Sequence, residues 1–325
     1  MQKPYPEFAS LPVDKNGPRG NAWGLWGPDD QLGTLNHLTA ERVRAAAAEE
    51  IRTGERVSLN WCLEGASNPR FQYPRKNLEV KLMNKEPRVG HSIHNVAVNG
   101  MAADTMHTKK KVYTTWAAKR KTSPPQKSPT ASTVHMAQSG IAARAFFLDW
   151  YAWATTTQNL TIDTTTSHAI PFSDLHATAT HQGISLYSMR PGDILIIRSG
   201  YLAQYANMPA SKRASLDTLY TTTKPCNIGV EASPELLAFL WDKQIAAVAG
   251  DSRSFETWPV SEERKEWHLH QWLLAGWGMP IGELWDLERL SEVCGRLARW
   301  SFFLTSAPMN VPGGVASPPN ALAFF

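Results

Sequence analysis

Apolar residues recur along the chain at two spacings, and each spacing predicts a different element. Val43, Ala46, Ala47 and Ile51 repeat at helical spacing, with Thr39 as a cap before them and Gly54 as a stop behind them. In "RVSLNWCLE" the apolar positions alternate at Val57, Leu59 and Trp61, the period of a strand with one buried face. A second apolar run, "GIAARAFFLDWYAWA", contains Asp149. In "RPGDILIIRSGYLAQY", Pro191 and Gly192 turn the chain, Ile194 to Ile197 read as a buried strand, and Ser199 and Gly200 open a loop. The stretch "ASPELLAFLWDKQIAAVAGDS" places Ser233 as N-cap and Pro234 at the first helical position. Leu236, Leu237, Leu240 and Trp241 form its buried stripe, and it runs directly into the strand "IAAVAGD". A further helix over 287–297 precedes the strand in "RWSFFLTSAP". Residues 192–198, 246–250 and 301–305 are therefore expected to be strands of one buried core. Strands interleave with helices throughout the second half and no internal repeat is found, so the class is α/β, or mixed α+β.

One segment departs from this texture. From 91 to 133 no apolar period is sustained, and "HTKKKVYTTWAAKRKTSPPQKSPTAST" carries seven Lys or Arg and three Pro. It reads as an irregular, exposed basic segment, with 109–129 the most so, because it has little apolar surface to offset the entropy of ordering. A basic patch for an acidic partner is the sharper alternative. Only Tyr113 and Trp116 stand in it, without regular interleaving among the basic residues, which argues against RNA or single-stranded DNA. The net charge of +4 owes much to this segment, so the whole chain gives no reason to expect a nucleic-acid partner.

Three cysteines, Cys62, Cys226 and Cys294, form neither a zinc pattern nor a disulfide framework. Residues 1–20 are polar and proline-rich without an apolar signal core, and are read as an arm before a single domain over 21–325. No apolar run approaches the roughly 18 residues of a membrane span. A soluble, cytoplasmic protein with no membrane partner is expected. Thirteen tryptophans point to aromatic walls in a core, an interface or a pocket.

The chain carries no dinucleotide fingerprint, P-loop, His-Glu-x-x-His helix or Gly-x-Ser-x-Gly elbow. Its candidate chemistry lies in "HLHQWLLAGWGMPIGELWDLERL". His268 and His270 are two apart, so they diverge on a helix and converge only on a strand. Leu269, Trp272, Leu273 and Gly276 define a helical stripe that leaves His270 at its edge, and Gly278 and Pro280 end the helix before Glu283. His270 and Glu283 need a bent chain to meet one ion. On the residues alone, packing is the plainer role for His270.

Five stretches, "WGLWGPDDQLGTLNHLT", "RPGDILIIRSGYL", "AAVAGDSRSFETWP", "LHQWLLAGWGMPIGELWDLERL" and "FFLTSAPMNVPGGVASPPNALA", together resemble the cyclase family of metal-dependent hydrolases. That family includes bacterial kynurenine formamidase and isatin hydrolase, and the likeness is strongest to its fungal branch. It spans most of 20–90 and nearly all of 136–325. The resemblance implies a cyclase-like fold, a mixed α/β domain with a β-barrel-like core flanked by helices, assembled as a homodimer or higher homo-oligomer. It implies that His270 and Glu283 ligate a divalent metal, zinc or manganese, and that Trp23, Trp26 and Asp251 are substrate-pocket candidates. The implied reaction is hydrolysis of a C–N amide bond in a small aryl formamide or cyclic amide, with N-formylkynurenine, from tryptophan catabolism, as the reference substrate.

The family also draws ligands from an earlier segment, His-x-Gly-Thr-His-x-Asp-x-x-x-His, relaxed in the fungal branch. Here "KKKVYTTWAAKRK" stands in its place. Trp116 aligns with the branch's tryptophan, but Ala117 stands where the Asp belongs, and Lys119 and Lys121 lie near the expected His. His91, His94, Asp104, His107 and His135 are substitutes without the family's spacing. A reading-frame or splicing change across 91–133 and a true divergence predict the same text. The catalytic group of the family lies in this stretch and is not assigned. The expectation is thus a hydrolase that holds its metal weakly or not at all. A secondary-metabolite cyclase or hydrolase, or an inactive oligomeric scaffold, are the alternatives.

Overall fold

The computed structural model of the chain describes residues 5–62, 79–84, 91–97, 116–117, 133–310 and 316–325. In chain order its strands are β1 (Arg56–Ser58), β2 (Glu79–Asn84), β3 (His91–Ala97), β4 (Trp116–Ala117), β5 (Ile141–Leu148), β6 (Ala169–Ile170) and β7 (Ile194–Ile197). They continue as β8 (Gly229–Val230), β9 (Ala247–Gly250), β10 (Ile281–Gly282), β11 (Ser301–Ser306), β12 (Ala316–Ser317) and β13 (Ala321–Phe324). The main sheet runs β1-β13-β11-β5-β7-β9-β10-β4-β12, and its first seven strands curl into a half-barrel flanked by helices. β5, β7, β9 and β10 are mutually parallel at its centre, while β11, β13 and β1 continue it antiparallel. This is the mixed α/β, cyclase-like fold expected.

β7, β9, β10 and the second half of β5 are buried on both faces, which is why β7 and β9 read as continuous apolar runs. Ile194 and Ile196 of β7 pack with Phe147, Phe302 and Phe325 on one side. Leu195 and Ile197 pack with Leu148, Trp241 and Trp277 on the other. Each of the three segments expected as core strands contains one, at Ile194–Ile197, Ala247–Gly250 and Ser301–Ser306, with Gly192 and Asp193 left to the preceding turn. The helices start where their caps stand: Thr39 accepts from the Arg42 amide ahead of Ala40–Glu50, and Ser233 from the Leu236 amide ahead of Pro234–Asp242. Two differences are local. The first helix stops at Glu50, and Ile51, placed on its stripe by spacing, is 42% exposed beyond its end. β1 ends at Ser58, because Asn60 instead bridges Trp285 and its side chain accepts from the Ala321 amide.

Within 91–133, expected to be irregular, β3 pairs with β2, and β4 lies between β10 and β12. Backbone pairing needs no apolar period, so these short strands left no hydrophobic signature. Thr133 opens the helix Thr133–Ser139, and the rest of that stretch lies outside the described residues. Among the described residues, no helix is long and apolar enough to cross a membrane.

Candidate metal centre

The parallel strands end on one side of the sheet, where open α/β sheets collect their functional groups. Asp149 follows β5, Ser199 lies just past β7, Asp251 follows β9 and Glu283 follows β10. The chain leaving β9 is then pinned against β8. The Val230 amide donates to the Phe255 carbonyl (2.9 Å) and the Thr257 amide to the Val230 carbonyl (3.0 Å). Gly229 permits this closeness, since a Cβ there would lie 2.3 Å from the Glu256 carbonyl carbon. Glu256 is thereby held with no exposure at all.

Glu256 caps the helix His270–Trp277. Its Oε2 accepts the Leu269 amide at 2.6 Å, and its Oε1 accepts the His270 amide at 2.9 Å, at the positive end of the helix. The same Oε1 lies 2.5 Å from His270 Nδ1 and 3.2 Å from His268 Nδ1. The helix is of the wide π type: the Gly278 amide, at φ +65°, closes it onto the Leu273 carbonyl. Across the gap, Glu283 Oε1 accepts the Phe255 amide at 3.0 Å and stands 3.2 Å from His270 Nε2. Leu284, immediately after Glu283, has φ +57°, a left-handed conformation that bulky side chains rarely adopt.

These distances separate two kinds of carboxylate. Two ligands each about 2.1 Å from one tetrahedral ion sit about 3.4 Å apart. His270 Nε2 and Glu283 Oε1 meet that spacing. His270 Nδ1 and Glu256 Oε1, at 2.5 Å, are too close and form a hydrogen bond instead. Glu256 thus accepts from Nδ1–H and turns Nε2 toward Glu283, the arrangement in which a carboxylate orients a metal-binding imidazole. Glu256, His268 and His270 also form a cluster whose ligand atoms all lie within 4.8 Å of one another, so a metal ion could be held here. Burial opposes charge on His270, but the hydrogen bonds to Glu256 and Glu283 and their charges outweigh it and push its pKa up to about 10. Burial likewise opposes charge on Glu256, and the two histidines outweigh it and hold its pKa low.

The structure therefore brings His270 and Glu283 together. It places the other three expected pocket residues separately. Trp23 donates its indole N–H to the Ala275 carbonyl (2.9 Å), on the helix that carries His270. Trp26 packs edge-on to His37. Asp251 is fully buried and accepts from the Ser199 amide (2.6 Å) and hydroxyl (2.7 Å). Two site residues were missed. His268 is not on the helix but precedes it, with ψ 110°, so it converges with His270 on Glu256. The divergence expected of a helical pair does not apply. Glu256 lies in the quoted "AAVAGDSRSFETWP" stretch, but nothing local marks it, since its partners come from 12 or more positions downstream. Of the substitutes named for the family's earlier ligand motif, Asp104 and His107 lie outside the described residues. His91 and His94 belong to β3 and His135 to the helix Thr133–Ser139.

β4 lies beside the strand that presents Glu283, with Trp116 opposite Gly282 and Ala117 opposite Ile281. Of the segment compared with the family's earlier ligand motif, the described pair Trp116 and Ala117 thus runs beside the strand that precedes Glu283. Nearby, Arg198 binds Asp149 (2.8 Å) and Glu288 (2.7 Å) in a largely buried network. A cavity of about 220 Å³ lies elsewhere, between the first helix and the 190–193 turn. Its arginines are already engaged: Arg144 with Asp193, Arg190 with Glu49 and Arg42 with the His37 carbonyl.

No model of a known protein family and no curated protein sequence matches the chain. Solved structures do. A protein described as a novel cyclase superposes with a TM-score of 0.69 at 23% identity, covering 94% of this chain and 99% of that one. Isatin hydrolase A from Ralstonia solanacearum gives 0.53 at 14% identity, covering 88% and 97%. Isatin hydrolase A from Labrenzia aggregata, solved with benzyl benzoate bound, gives 0.52 at 16%, covering 89% and 98%. At these identities the likeness shows a shared fold.

Proposed function

We propose that the chain is a metal-dependent hydrolase of a C–N amide bond, with an aryl formamide such as N-formylkynurenine, or a cyclic amide such as isatin, as its substrate class. One observation carries this reading: His270 Nε2 and Glu283 Oε1 lie 3.2 Å apart at the ends of separate elements, with Glu256 orienting the imidazole. His270 and Glu283, with His268 beside them, would hold a zinc or manganese ion, which when bound polarises the scissile carbonyl and activates water. The residues of the chain do the rest. Glu256 holds the Nδ1 proton and fixes the ring, the Phe255 amide fixes Glu283, and the buried floor of Asp251 and Ser199 keeps the strand ends in place. Small-molecule substrate, cytoplasmic location, homo-oligomeric assembly and a part for Trp26 in the pocket belong to the same proposal.

A second reading has its own observation. Ala117 lies next to β10 where the resemblance calls for an acidic ligand, which favours weak metal binding and, at the limit, an inactive oligomeric scaffold. Elemental analysis after dialysis, followed by N-formylkynurenine and isatin assays, separates the two. The hydrolase reading expects sub-stoichiometric zinc or manganese, and slow turnover that His270→Ala abolishes. Neither metal nor turnover, even with added zinc or manganese, would leave the scaffold. Turnover that survives His270→Ala would refute the assignment of the site.

A further inference from the structure

The helix that carries His270 is closed at both ends by distant parts of the chain. Glu256 takes the amides at its start. At its end, the last carbonyls of a helix have no partner within it, and here the segment from Gly20 to Trp23 supplies them. The Ala22 amide donates to the Gly276 carbonyl at 3.0 Å, and the Trp23 indole N–H donates to the Ala275 carbonyl at 2.9 Å. In return the Trp277 indole N–H donates to the Gly20 carbonyl at 2.8 Å. Gly20, at φ +71°, is pressed so close that a Cβ would lie 1.9 Å from the Trp272 ring. Asn21, fully buried, holds the segment's shape. Its amide donates to the carbonyls of Asp14 (2.9 Å) and Pro18 (2.6 Å), and its oxygen accepts the Trp23 amide.

We propose that Trp23 is a positioning residue for His270: its indole N–H fixes the C-terminal end of this short helix and so sets where His270 stands relative to Glu283. The physical reason lies in the type of helix. With only eight residues and π-type bonding, the element has little intrinsic stability, and such turns persist where tertiary contacts impose them. If the end carbonyls lose their outside donors, the last turn can rewind toward ordinary α-helical bonding. The rotation per residue then changes, and a side chain at the first position swings relative to one held by β10. The consequence for metal binding rests on the site proposed above; the placement of His270 does not.

The test uses the full chain with Trp23→Phe, which keeps a ring and removes the indole donor. Should that variant fold poorly, benzothienylalanine at position 23 replaces only the N–H by sulfur. Cobalt(II) alone is the probe: its affinity is read by titration and its ligand geometry by visible absorption. Loss of the donor is expected to weaken cobalt binding roughly 10-fold and shift the absorption bands. In metal-free protein, the downfield proton resonance of His270 Nδ1–H is expected to move as well, while the unfolding temperature changes little. An unchanged resonance, or unchanged cobalt affinity and bands, overturns the proposal. If wild type binds no cobalt but the resonance moves, the metal reading falls and the positioning role stands.

Discussion

His270 Nε2 lies 3.2 Å from Glu283 Oε1, although the two residues belong to elements separated by a left-handed glycine turn at Gly278. Neither side chain is aimed by its own element alone. Glu256 orients the imidazole from one side, and the Phe255 amide, from the adjacent residue, orients the carboxylate from the other. One short loop therefore aims both groups.

That loop depends on its contact with β8. Gly229→Ala would drive a methyl group into the Glu256 and Thr257 backbone, with contacts of 2.3 to 2.5 Å. Because the obstacle is backbone, relief requires a shift of the loop. The expected cost is about 2–3 kcal/mol in urea unfolding, with loss of cobalt binding. Unaltered stability would mean that the loop is not pinned there.

Glu256, itself without exposure, serves two backbone amides and the imidazole of His270. Glu256→Ala leaves these donors unpaired and is expected to cost about 3–5 kcal/mol. Glu256→Gln keeps the volume and part of the accepting capacity, so it should cost about half as much. Guanidinium unfolding of the pair checks this ordering, and equal losses would point to volume as the controlling factor.

Burial, with Arg42 adding to it, lowers the pKa of His37 from 6.5 to about 4. The folded protein keeps the ring neutral in that window, while the unfolded chain takes up a proton. Its contribution is therefore complete above pH 6.5 and is lost as pH falls toward 4, by at most about 3 kcal/mol. Urea midpoints at pH 5 and 7 for wild type and His37→Gln measure it. Identical pH dependence in the two proteins would show that His37 protonates in the folded state.

Arg198 bridges the nearly buried Asp149 and the more exposed Glu288. Arg198→Met strands a carboxylate in the interior and is expected to destabilise by about 3–5 kcal/mol. Arg289→Ala, which breaks an ion pair exposed by about two thirds at both ends, should change stability by less than about 0.5 kcal/mol. Thermal unfolding of both variants tests the contrast.

The sequence by itself determined the local elements of this protein. Runs such as Ile194 to Ile197 read as buried strands, since four large, mostly β-branched apolar residues between turn signals are too few for a helix. Ser233 and Pro234 likewise marked a helix start, because capping is a matter of neighbours within one turn. The pairing of His270 with Glu283 was legible through family likeness, not through spacing. Only the tertiary structure decided how the pair is aimed. Glu256 acquires its meaning from amides and imidazoles 12 to 14 positions away. His268 joins it because the helix begins only at His270, two residues too late to carry it round. Gly20, Ala22 and Trp23 meet Trp272, Gly276 and Ala275 across some 250 residues. Hydrogen bonds of this kind satisfy groups that a helix or loop cannot satisfy within itself, and their partners are set by where the chain returns in space.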